Sequence, residues 1–161
     1  MHRIMNNKGT KRQSSGLEYP DWKRVVIPPD IEELARLAVD AAFAVHVELG
    51  PGLLESAYEG CFAHEMDLRG IKHQRQLPVP LNCKGGLIEV GFRADVLLEQ
   101  NLLIELKAVE ELLPVHEAQV ITYLRNLKLP LGLLINFNGV RIKEGLYRIL
   151  NVPRIPPPST P

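Results

Sequence analysis

The sequence predicts a small α/β domain with its elements in the order α-α-β-β-β-α-β-β. Three observations carry this expectation. Apolar residues recur at three- and four-residue spacing over 31–49, apolar and polar residues alternate over 71–81, and a nearly continuous apolar run spans Leu131 to Phe137. These are the patterns of an amphipathic helix, a half-exposed strand and a strand covered on both faces.

The first helix follows Pro28 and Pro29. Asp30 is the expected N-cap, with Glu33 three residues on to complete a capping box. Ile31, Leu34, Ala38, Ala41, Val45 and Leu49 form its buried stripe, and Gly50 ends it. After the Pro51-Gly52 turn, a second helix is expected from Leu53 to Arg69, closed by Gly70. The alternating stretch that follows contains Pro78 and Pro80, which suit only an edge strand. Lys84-Gly85-Gly86 reads as a turn, and residues 87–98 and 102–108 as two further strands. A helix over 114–127 carries proline at its first turn. After the 131–137 strand, Asn138-Gly139 is expected to turn the chain into a last strand over 140–149.

The ends of the chain have a different composition. Residues 1–25 are polar and without periodicity, with six basic side chains against two acidic, and read as a disordered basic arm. Gly9, Gly16 and Pro20 break any amphipathic targeting helix there. Residues 153–161 contain five prolines and read as a disordered tail. The domain is therefore expected over 26–152. It carries seventeen acidic against twelve basic side chains, which counts against a generally basic nucleic-acid surface. No apolar run approaches the roughly twenty residues of a membrane span. Cys61 and Cys83 are too few for a four-cysteine zinc site or an iron–sulfur cluster, and a reduced, cytoplasmic setting follows.

The chemistry concentrates in Leu102-Leu103-Ile104-Glu105-Leu106-Lys107. Alternation places Glu105 and Lys107 on one face of a strand and Ile104 and Leu106 on the other. If Glu99-Gln100-Asn101 is a three-residue loop, with Asn101 in the left-handed position, Asp95 of the preceding strand lies opposite Glu105. Two facing carboxylates repel unless they share a hard cation, and oxygen ligands select Mg²⁺, Mn²⁺ or Ca²⁺. The competing reading is a cross-strand salt-bridge cluster of Asp95 and Glu105 with Arg93 and Lys107. His116, Gln119 and Tyr123 form one polar stripe on the third helix. They suit either a polar face over the site or the edge of the core. Glu55 falls on the stripe of Tyr58 and Phe62, and is either a third carboxylate or a first-turn glutamate favoured by the helix dipole.

At these residues the chain resembles the PD-(D/E)XK, restriction-endonuclease-like nucleases. Asp95 followed by Glu105-Leu106-Lys107 is similar to their signature, although Ala94 stands where proline is common. Gln119 and Tyr123 resemble the QxxxY motif of RecB-type enzymes. Gly52-Leu53-Leu54-Glu55-Ser56-Ala57-Tyr58 resembles the GxxExxY motif that names one family of the superfamily. The resemblance spans about residues 30–150.

It implies an α-β-β-β-α-β core with a mixed four-stranded sheet flanked by helices. It also implies a Mg²⁺- or Mn²⁺-dependent nuclease whose partner is nucleic acid, expected to be DNA. Asp95, Glu105 and the Leu106 carbonyl would hold the metal, with Glu55 and His116 as further candidate ligands. Lys107 would be the catalytic lysine, supported by Gln119 and Tyr123. Arg69, Lys72, Arg75, Arg125, Lys128, Arg141 and Lys143 are candidate phosphate contacts. The alternative is a catalytically silent binding or adaptor module, acting as a homodimer.

Overall fold

A computed structural model describes residues 25–89 and 91–152. Residues 1–24 of the expected arm, and the tail from 153, lie outside it.

Helix α1 spans Pro29–Leu49. The expected capping box does not form. Pro28 is the N-cap, without a side-chain cap, and Glu33 instead binds Arg36 one turn on. Pro29, with its fixed φ and no N–H, starts the helix one residue before Asp30 could cap it. Gly50, at φ +64°, ends α1 with its N–H on the His46 carbonyl. Helix α2 is Glu55–Leu68, shorter than expected because Leu54 is still extended.

Strand β1 is His73–Pro78. A small separate hairpin follows, β2 (Leu81–Cys83) with β3 (Gly86–Ile88), turning through left-handed Lys84 and Gly85. The expected strand over 87–98 is thus two strands in different sheets. Gly91, at φ +69°, lies between β3 and β4 (Arg93–Leu98). The remaining elements are β5 (Leu102–Lys107), α3 (Pro114–Leu127), β6 (Leu131–Asn136) and β7 (Leu146–Leu150). The last expected strand is also shortened. Residues Ile142–Gly145 form a 3₁₀ turn before β7, so no tight Asn138-Gly139 hairpin forms.

The main sheet has five strands, not four, in the order β1-β4-β5-β6-β7. β1 is an edge strand, as expected, and ends at Pro78; Pro80 lies beyond it, before β2. Only β5 and β6 run parallel, joined through α3; the other pairs are antiparallel. The two faces of the sheet form separate cores. Leu102, Ile104 and Leu106 pack beneath α1 and α2 with Ala38, Ala42, Tyr58 and Phe62. Leu103 and Leu134 pack beneath α3 with Val120, Tyr123 and Leu124. α3 approaches β6 closely at Gly132, where a Cβ would sit 3.0 Å from Val120 Cγ1. The parallel β5–β6 pair with helices on both faces is the layering that buries a strand completely.

Candidate active site

The β4–β5 connection is the three-residue turn Glu99-Gln100-Asn101, with Leu98 paired to Leu102. The left-handed residues are Glu99 and Gln100, however, not Asn101. Glu99 is held there by exchanging hydrogen bonds with the backbone of Lys72, and Asn101 Nδ2 donates to the Glu99 carbonyl. The paired part of β4 and β5 runs from Leu98–Leu102 to Val96–Ile104. Asp95 is the next residue along β4, just beyond the paired stretch, as Glu105 is along β5. There Asp95 Oδ2 accepts the buried Leu106 N–H at 2.8 Å.

Lys107 Nζ donates to Glu105 Oε1 at 2.8 Å and lies 3.8 Å from Glu55 Oε1. Glu55 opens α2, so the helix start reaches the end of β5. The intervening turn is pinned by Tyr58, whose hydroxyl donates to the Gly50 carbonyl at 2.7 Å and accepts the Leu53 N–H at 3.1 Å. Tyr58 is fully buried and stacks on Phe137, with ring centroids 4.6 Å apart. Gly52 supplies the φ of +97° that the turn needs. Beyond Lys107 the chain is held by Asn136, whose amide donates to the Val109 carbonyl and accepts from the Val109 N–H. On α3, Gln119 Nε2 donates to the buried Tyr123 hydroxyl at 2.7 Å.

The model of the PD-(D/E)XK nuclease superfamily matches residues 32–149, nearly the whole described domain. The chain belongs to the PD-(D/E)XK nuclease superfamily. No curated protein and no solved structure matches it. The five-stranded mixed sheet with helices on both faces is consistent with the restriction-endonuclease-like fold.

For a superfamily member the test is whether these residues suit a cation. Glu105 is buried, and its Oε2 has no hydrogen-bond partner. A buried carboxylate oxygen without a donor is costly unless a positive charge meets it. Burial, and then the charge of Asp95, push the Glu105 carboxyl up to about 7. Asp95 is also raised by burial, a shift opposed by the Leu106 N–H and by Lys107. Burial works to lower Lys107, but the carboxylates around it, Glu105 first and then Glu55 and Asp95, together outweigh it and the ammonium is held above its usual range. The ion pair therefore secures the lysine's charge without offsetting the desolvation of the more deeply buried glutamate. Burial raises the Tyr123 hydroxyl, which feels the charges of Glu105, Lys107 and Asp95. Among the described residues no group of three or more His, Cys, Asp and Glu forms a metal cluster. Two carboxylates with an unmet oxygen fit a hard ion that keeps waters and phosphate in its shell.

His116 has a local structural role. Its Nδ1 accepts the Leu113 N–H at 3.0 Å, which caps α3. Several candidate phosphate contacts are already paired: Arg69 with Glu65, Arg75 with Glu59, and Arg141 with Glu144.

Two site neighbours were not among the expected site residues. Glu59 is buried and accepts from Arg75 Nε at 2.8 Å and from Gln76 Nε2 at 2.6 Å. Gln76 Nε2 also lies 3.4 Å from Asp95 Oδ1. The position of Glu59, four residues after Glu55 on α2, was a usable signal. Nothing in the sequence marks Gln76.

Proposed function

We propose that this chain is a Mg²⁺- or Mn²⁺-dependent nuclease that hydrolyses phosphodiester bonds of DNA. The observation that carries the reading is the unpartnered, buried Glu105 Oε2 beside Asp95. Asp95 and Glu105 would hold the ion, with the Leu106 carbonyl as a third ligand and Glu55 acting through a water. When bound, a divalent ion supplies charge for the phosphate and acidifies a water. Lys107, protonated between Glu105 and Glu55, would orient that water and meet the charge that grows on the phosphate. Gln119 and Tyr123 would hold the α3 side of the site, and the Gly52–Tyr58 turn would hold Glu55 in reach. His116, as a cap, would act on α3 rather than on the ion.

Cleavage of labelled single-stranded and duplex DNA tests this, in Mg²⁺, Mn²⁺ or EDTA. Wild type should cut only with metal, and Asp95→Asn and Lys107→Ala should abolish cutting while remaining folded. Folded wild type that cuts neither DNA in any metal would sink the reading. The acidic balance of the domain favours the adaptor reading in that event.

A further inference from the structure

The geometry points to Gln76 as a positioning residue that aims the Asp95 carboxylate, held in place by a deliberately unfavourable backbone. The inference rests on the reading of Asp95 as a metal ligand.

Neighbouring side chains on a strand point to opposite faces. Arg75 and Gln76 are neighbours on β1, yet both bind the carboxylate of Glu59. They can do so because Gln76 has φ +51°, a left-handed conformation that non-glycine residues rarely adopt within a strand. The distortion falls at the step of the β1–β4 register that faces Asp95. Arg75 pairs with Val96 and Leu77 with Ala94, and Gln76 lies between them. The turned side chain places one amide nitrogen 2.6 Å from Glu59 Oε2 and 3.4 Å from Asp95 Oδ1.

Each oxygen of Asp95 then meets a donor group. Oδ2 takes the firm Leu106 N–H, and Oδ1 faces the Gln76 amide. Glu59, charge-balanced by Arg75, anchors that amide. The contact to Oδ1 is long enough to yield when a ligand approaches, and the contact to Glu59 is short. Gln76 would thus fix the rotation of the carboxylate without competing for it. Backbone strain that persists beside a reactive group is a recognised mark of such a role. A shape requirement of the edge strand alone would be met at lower cost by glycine.

Two variants separate positioning from folding. Gln76→Ala and Gln76→Gly both lack the amide, and only Gln76→Gly relieves the left-handed strain. Mn²⁺ titration calorimetry without nucleic acid, beside melting in EDTA, reads both effects. Gln76→Gly should melt above Gln76→Ala, while both lose Mn²⁺ affinity equally, by roughly tenfold or more as for other supports of ligating groups. Unchanged affinity in both variants would overturn the inference while leaving the ligand reading intact. Affinity that tracks melting temperature, with Gln76→Gly restored, would also overturn it. Wild type that binds no Mn²⁺ would remove the ligand reading of Asp95, and this inference with it.

Discussion

Glu105→Gln should stabilise the metal-free protein at pH 8 and leave it nearly unchanged at pH 4, below the ordinary carboxyl value. The folded carboxyl keeps its proton up to about 7, against an ordinary value of 4.5. Between those values the unfolded chain has lost the proton and the folded one has not. The folded state binds more protons, so stability falls as pH rises through that window and stays low above it. The gap corresponds to roughly 3 kcal/mol. Glutamine matches the neutral carboxyl in shape and retains an oxygen for Lys107 Nζ, so it escapes the penalty. For a chain of this length that is roughly 10 °C in Tm. Thermal melts of both proteins in EDTA, from pH 4 to pH 8, give the difference directly. Adding Mn²⁺ at pH 8 should raise wild type more than the variant, because only wild type has the uncompensated charge. A Glu105→Gln protein that melts at or below wild type at pH 8 in EDTA would refute the argument that this carboxylate is buried without sufficient compensation.

Two further outcomes follow from the supports of the site. Tyr58→Phe removes the hydroxyl that joins Gly50 to Leu53, and should cost about 1–2 kcal/mol in urea unfolding. It should also weaken cleavage, since the same turn carries Glu55 towards Lys107. Asn136→Ala leaves the Val109 N–H and carbonyl without their side-chain partner and should cost roughly 2–3 kcal/mol. Faster hydrogen exchange at the Val109 amide would locate the damage; an unchanged rate would show that the loop is held by other means.

The parts legible in the sequence were those set by repetition. α1, α3 and β6 announce themselves through spacing, and β5 through an acid and a base set into an apolar strand. The three-residue loop that pairs Leu98 with Leu102 was also legible, because the charge pattern favoured it, or a bulge, over a two-residue turn. What was hidden depends on single backbone conformations or on tertiary partners. The 87–98 stretch has strand-like composition throughout, but Gly91 separates it into pieces that join different sheets. Asn101 has the better intrinsic tolerance for a left-handed φ, yet Glu99 takes it because the Lys72 backbone binds it there. Asp30 lost its expected cap to the proline before it. Gln76 is invisible for the same kind of reason: its role depends on a φ that no residue type announces.

The hydrogen bond from Leu106 to Asp95 makes one member of the site serve the architecture as well. With an acceptor lost at 95, a buried main-chain N–H near the middle of the sheet would be stranded. Lys107 has a structural share of its own, as the ion-pair partner of the buried Glu105, but the oxygen at 95 is the one the backbone itself needs. An Asp or Asn at 95 therefore serves the sheet whether or not the site carries out chemistry.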